Sequence, residues 1–103
     1  MAPPSEGDVL LEQALQQIVR AAQRSLELRR VILFGSRARG DARPDSDLDL
    51  AFEHRSSDAE WAEFVNEMAE HAPILVSLDL VDLARVDPAL RARIERQGRM
   101  IHG

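Results

Sequence analysis

Val31-Ile32-Leu33-Phe34-Gly35-Ser36-Arg37-Ala38-Arg39-Gly40, followed shortly by Ser46-Asp47-Leu48-Asp49-Leu50-Ala51-Phe52-Glu53, is the stretch that decides the fold. Val31 to Phe34 is a short apolar run ended by Gly-Ser, the pattern of a buried strand that delivers a tight turn. From Asp47 onward, Leu48, Leu50 and Phe52 alternate with Asp47, Asp49, Ala51 and Glu53, which predicts a second strand with one polar face. Residues 35–46, rich in Gly, Asp and Ser with Pro44 among them, form a polar connection between the two.

Upstream, Leu10, Leu11, Ala14, Leu15, Ile18, Val19, Ala22 and Leu26 recur at helical spacing, so residues 6–28 read as an amphipathic helix covering one sheet face. Ser5 and Asp8 have capping-box spacing at its start, after a flexible lead of residues 1–5. Downstream, Ser57 and Glu60 open a second helix with the core stripe Trp61, Phe64, Val65, Met68 and Ala72, ended by Pro73. Ile74 to Leu83 reads as a long third strand with Ser77 and Asp79 on the same side. Asp87-Pro88 reads as the N-cap and first residue of a third helix closed by Gly98. Met100 and Ile101 either add a short terminal strand or simply pack. The expected architecture is one α/β domain over residues 1–103, a small mixed sheet of three or four strands with helices packed on it.

Composition narrows the function classes. The chain has 103 residues, enough for one domain, and no Cys, so neither a disulfide frame nor a thiolate metal site is available. No apolar run approaches a membrane span, and Met1-Ala-Pro-Pro-Ser-Glu-Gly-Asp8 lacks the basic and apolar regions of a signal peptide. A cytoplasmic location is the default expectation. The net charge of −5 disfavours direct binding to nucleic acid, which relies on cationic side chains displacing counterions. All 13 basic residues are Arg, whose planar fork suits phosphate and carboxylate.

Three carboxylates occur where carboxylates are costly. Asp47 and Asp49 interrupt an apolar alternation, and Asp79 interrupts the most hydrophobic strand; Asp is depleted in strands because it needs solvation. Residues i and i+2 of a strand share a face, so Asp47 and Asp49 are neighbours. If Asp79 lies on an adjacent strand, three negative charges converge, and each raises the others' pKa unless a cation intervenes. Magnesium takes hard oxygen ligands and leaves positions for water and phosphate, and two such ions can stabilise both oxygens of an in-line displacement at phosphorus. Gly35 after a buried strand lets backbone approach a ligand closely. Ser36 is expected to cap a short helix through Arg39 that faces a phosphate, with Arg37 and Arg39 in reach of the same anion. Alone, Gly-Ser after a strand is usually a turn and Asp-x-Asp usually a solvated face; the conjunction within so few residues is far more specific.

Gly35-Ser36-Arg37-Ala38-Arg39-Gly40-Asp41 followed by Ser46-Asp47-Leu48-Asp49-Leu50 resembles the signature of the minimal nucleotidyltransferases, the MNT group of the DNA polymerase β-like superfamily. Leu78-Asp79-Leu80-Val81-Asp82-Leu83 is similar to the strand that supplies that family's third carboxylate, and the ending Gln97-Gly98-Arg99-Met100-Ile101 is similar to its closing segment. The resemblance covers nearly the whole chain and implies the polymerase β-like fold. It implies that Gly35 and Ser36 bind the triphosphate of ATP, and that Asp47, Asp49 and Asp79 hold Mg2+ and carry catalysis. Members are commonly antitoxins that bind a HEPN-domain RNase toxin and transfer AMP from ATP to one of its tyrosines. The sequence departs in having no Tyr and only 4% aromatic residues. Adenine stacking would thus fall to Phe34, Phe52, Trp61 or Phe64, all of which read as core.

The remaining polar residues have plainer readings. Asp82 lies on the opposite strand face from Asp79 and reads as structural, and Asp41 and Asp45 as loop caps. His54, His71 and His102 lack metal-ligand spacing and read as solvated surface. Glu60, Glu63, Glu67 and Glu70 read as a solvated helix face. Arg85, Arg91, Arg93, Arg96 and Arg99 read as a solvated helix before they read as a surface for an acidic partner. Three functions compete: an adenylyltransferase acting on its toxin, a non-catalytic module that inhibits the toxin by occlusion, and a transferase for RNA or an aminoglycoside. Intact carboxylates disfavour the second, and the third lacks room for a substrate domain. Either of the first two predicts a heteromeric complex.

Overall fold

The computed structural model describes residues 6–43, 45–74 and 76–103, so the lead of residues 1–5 and the Ser5 capping box lie outside the described residues. Helix α1 (Glu6–Ser25) buries Ala14, Leu15, Ile18, Val19 and Ala22 along the stripe its spacing predicts. It stops short of residue 28. The last helical bond runs from Leu26 N–H to Ala22 O, and the next backbone groups go to another element: Glu27 N–H to Ser56 Oγ (2.7 Å) and Arg55 N–H to Glu27 O (3.0 Å). Leu28 then opens strand β1 (Leu28–Phe34), three residues ahead of the expected Val31. Helix propensity in Leu26 to Leu28 loses to cross-strand pairing, a tertiary effect that local sequence does not contain.

After one helical turn, α2 (Ser36–Arg39), comes β2 (Leu48–His54), then α3 (Asp58–His71). The Ser57–Glu60 capping box is present in both directions, at 3.2 Å from Glu60 N–H to Ser57 Oγ and 3.0 Å from Ser57 N–H to Glu60 Oε1. Strand β3 (Leu78–Asp82) is half the expected length. Its partner β2 begins only at Leu48, whose N–H bonds Ser77 O, so residues ahead of 77 have no strand to pair with. Ile74 and Val76 pack on the core as irregular chain, and Leu75 lies outside the described residues. An apolar run alone does not separate these outcomes.

Asp87 caps α4 (Pro88–Gln97) by accepting from Leu90 N–H at 2.9 Å. Gly98 then lets the chain pass against Ile32, where a Cβ would strike the Ile32 side chain, and β4 (Arg99–His102) completes the sheet.

The four-stranded sheet has the order β3-β2-β1-β4, with β2 and β3 parallel and the other pairs antiparallel. One face, carrying Val31, Leu33, Leu48, Leu50 and Phe52, is covered by α1 and α3 and forms the main core. Phe52 packs against Phe64 and Trp61, with ring centroids 5.3 and 5.4 Å apart. Burying each of the two Phe side chains contributes roughly 1.5–3 kcal/mol. The other face, Ile32 and Ala51, meets only Ile94 of α4 and Leu83, with Phe34, Val86 and Leu90 at the margin. Among the described residues no helix is long and apolar enough to cross a membrane.

Candidate active site

The thinly covered face holds the site. Phe34 pairs with Asp49 across β1 and β2, and Asp49 pairs with Asp79 across β2 and β3. Directly opposed residues point the same way, so Phe34, Asp49 and Asp79 form one row across the end of the sheet. Asp47 stands exposed just ahead of β2. Two of the three carboxylates that the sequence singles out, Asp49 and Asp79, therefore sit side by side, with Asp47 two residues ahead of Asp49, and β1 brings Gly35 to the same end.

Gly35 has φ 73° and ψ −156°, a conformation essentially restricted to glycine. A Cβ on it would overlap Asp49 Oδ2 and lie 3.1 Å from Asp49 Cγ. Turn backbone and carboxylate thus touch, and only a residue without a side chain permits it. Gly35 is itself the N-cap of α2, with no side-chain capping bond, so Ser36 is the first helical residue and not the expected cap. Gly35 O accepts from Ala38 and Arg39 N–H, both at 3.2 Å, and Gly40 closes the turn in the left-handed region at φ 84°. Among the described residues the Ser36 hydroxyl has no hydrogen-bond partner, leaving it available beside the row.

Burial raises the pKa of Asp49, and the charges of Asp79 and Asp47 and a hydrogen bond with Asp79 raise it further; Arg39 opposes them. Two carboxylates that close require a proton or a cation between them. Among the described residues no group of three or more carboxylate or imidazole side chains is arranged as a metal cage. What stands there is the touching pair Asp49 and Asp79, with Asp47 acting through its field. Such hard oxygen donors, crowded enough to perturb one another, fit a magnesium ion.

The two arginines of the turn separate. Arg37 donates from Nη2 (2.8 Å) and Nε (3.3 Å) to Ser46 O, the carbonyl immediately before Asp47. Arg39 is exposed, contacts Asp41 at 3.4 Å, and is the cation whose field reaches Asp49. Ser46 is held further by Arg43, through Ser46 N–H to Arg43 O (3.0 Å) and Arg43 N–H to Ser46 Oγ (2.8 Å).

Elsewhere one expectation is overturned. His54 is not solvated surface: its side chain is 4% exposed, its Nε2 lies 3.2 Å from Asp82 Oδ2, and its ring stacks on Trp61 at 11°. His54 Nδ1 accepts from Ser56 N–H, which leaves Nε2 as the protonated nitrogen. The approach to Asp82 satisfies an ion-pair distance but not hydrogen-bond geometry, so it is an electrostatic contact. The signal was in the sequence, since His54 continues the parity of Leu48, Leu50 and Phe52. Asp82 is structural as read, accepting from Ala84 N–H at 3.0 Å. Arg85 pairs with Asp58 and approaches Asp82, and Arg99 pairs with Glu12 at 2.8 Å. His71 is exposed, as expected.

Known proteins agree with this architecture. A solved structure provisionally named a minimal nucleotidyltransferase is 27% identical, with TM-score 0.70 over 95% of this chain and 98% of that one. A toxin–antitoxin structure with AMP-PNP is 23% identical, with TM-score 0.70 over 89% of this chain and 73% of that one. A complex of a tri-AMPylated Shewanella oneidensis HEPN toxin with an MNT antitoxin is 22% identical, with TM-score 0.67 over 89% and 72%. No curated protein matches the sequence significantly. The family model for the polymerase beta nucleotidyltransferase domain matches residues 16–103. That match takes in every strand and the whole row of carboxylates, so the chain belongs to the polymerase beta family of nucleotidyltransferases.

Proposed function

We propose that this chain is a magnesium-dependent adenylyltransferase that moves AMP from ATP to a tyrosine of a HEPN-domain RNase toxin and so neutralises it in the cytoplasm. The observation that carries the reading is the contact of the Gly35 backbone with Asp49, in register with Asp79. That contact supports the reading because a phosphate held at the turn would lie beside carboxylates whose mutual repulsion a cation relieves. The structural likeness to a complex with an AMPylated HEPN toxin supports the choice of acceptor.

Asp47, Asp49 and Asp79 would hold magnesium, which supplies charge neutralisation at the phosphates. Gly35 and Ser36 receive the triphosphate, the first by close backbone approach and the second through its unengaged hydroxyl. Arg39 adds the positive charge that offsets the phosphates. The tyrosine oxygen attacks the α-phosphorus, a new P–O bond forms, the bridging P–O bond to the β-phosphate breaks, and pyrophosphate leaves. Asp79, the most exposed member of the register row, takes the hydroxyl proton. Catalysis here is positioning and charge compensation, as phosphorus chemistry of this kind requires. A groove of about 560 Å3 bordered by Met68, Ile74, Asp79 and Leu80 runs along the β3 edge on the α3 side, while the acceptor would approach from the opposite, thinly covered face that carries the carboxylate row.

The test is to find whether a HEPN-domain protein is encoded beside this chain and to measure that protein's intact mass after incubation with this chain, ATP and magnesium. That protein should gain AMP mass with the wild type and none with Asp47→Asn, and its RNase activity should stay lost after the two chains are separated. Inhibition without mass gain would establish occlusion instead.

A further inference from the structure

We infer that Arg37 is a positioning residue, a strut from the phosphate turn to the carbonyl before Asp47, and that Arg39 alone is the anion-facing arginine. The inference rests on the site described above and divides the work of two arginines that the motif presents as equivalent.

Three observations carry it. Arg37 places two donors, Nη2 at 2.8 Å and Nε at 3.3 Å, on the single acceptor Ser46 O. That carbonyl belongs to the peptide leading directly into Asp47. Second, Arg37 borders a groove with Gln13 and Gln17 of α1 and with Ile74, on the α1 side of the turn. The carboxylate row lies on the opposite sheet face, under α4. Residues i and i+2 of a helical turn point about 160° apart around the axis, so Arg37 and Arg39 leave the turn on nearly opposite sides. Third, Arg39 is exposed, with its Nε 3.4 Å from Asp41 Oδ2, and is not tied to the loop carbonyl that holds Arg37.

The physical need is clear from the connectivity. The loop between Arg39 and Leu48 is polar and carries no strand pairing of its own, yet it must set Asp47 at a defined distance from Gly35. Asp49 needs no such help, because ladder pairing on both sides fixes it. Asp47 precedes the ladder and depends on the loop. Arg37 and the Arg43–Ser46 turn together convert a flexible connection into a fixed spacing.

The variants Arg37→Met, Arg37→Lys and Arg39→Met separate the roles in the free protein. In Arg37→Met, amide exchange at Asp45 to Asp47 should quicken by about tenfold or more, the loss expected for a hydrogen bond from a charged donor, while β1 amides do not change. Mn2+ binding followed by electron paramagnetic resonance should weaken by about tenfold, as when a residue orienting a ligand is removed. Arg37→Lys, which keeps one donor and the charge, should fall between and serves if Arg37→Met does not fold. Arg39→Met should leave the exchange unchanged, bind Mn2+ as well or better, and bind metal-free ATP more weakly. Unchanged loop exchange in Arg37→Met, or a loss of metal-free ATP affinity equal to that of Arg39→Met, overturns the inference. Were the wild type to bind neither Mn2+ nor ATP, the proposed function would fail, while the exchange measurement would still decide whether Arg37 is a strut.

Discussion

Replacing Gly35 by Ala tests whether the turn and the carboxylate row are built against one another. Two costs arise, and they fall on different observables. The backbone conformation, φ 73° and ψ −156°, is sparsely populated for any residue with a Cβ, and holding one there costs about 1–3 kcal/mol. Lower entropy of the unfolded Ala chain offsets about 0.4–1 kcal/mol of that strain. The net expectation is a destabilisation of about 0.5–2 kcal/mol, which in a domain of this size lowers Tm by about 2–15 °C. The second cost is the overlap of the new Cβ with Asp49 Oδ2. The cheapest relief is rotation of the Asp49 carboxylate away from Asp79, which adds little instability because the two repel. It displaces a group that the proposed chemistry needs in place, and a shift of about 1 Å can cost on the order of 100-fold in rate. Calorimetric melts report the first cost. The second appears as a fall in the Asp49 pKa toward the ordinary carboxylate range, read by carboxyl-carbon NMR titration. A Gly35→Ala protein with wild-type Tm and an unshifted Asp49 titration would refute the reasoning.

Two further outcomes follow from the charges. Asp49 has a folded pKa raised by burial and by Asp79 and Asp47, so the native state binds its proton more tightly than the unfolded state does. Its contribution to stability is full below the unfolded carboxylate value and is lost as pH rises through the raised folded value. Without magnesium, Asp49→Asn should therefore melt above wild type near neutral pH and converge with it in acid; a lower Tm at neutral pH would contradict this. His54→Ala removes the Trp61 stack and leaves Asp82 without its imidazole neighbour, at a cost of about 1–3 kcal/mol. The residue lies five positions along β2 from Asp49, roughly 16 Å, so metal-dependent ATP binding should not change.

The elements with local codes were legible from the residues alone. Ser57 with Glu60 and Asp87 with Pro88 mark helix starts through bonds made within three or four residues, and both hold in the structure. The candidate site was legible for a related reason: carboxylates in apolar alternation and Gly after an apolar run break local rules, and a broken rule is visible without a fold. The resemblance carried by those same residues pointed to the family.

Pairing decided the rest. Where α1 ends, where β1 begins and how short β3 is depend on which backbone groups find partners, and those partners lie tens of residues away: Glu27 with Ser56, Leu48 with Ser77. His54 looks like a surface histidine until Trp61 and Asp82 are brought beside it from α3 and β3. Arg37 and Arg39 are indistinguishable as letters, and they part only because one helical turn points them to opposite sides of the sheet end. The sequence by itself determined which groups were costly to place, namely Gly35, Asp47, Asp49 and Asp79. Only the tertiary structure decided that Phe34, Asp49 and Asp79 share one row and that Gly35 touches it, because strand register is set by contacts summed over the whole sheet and by no residue alone.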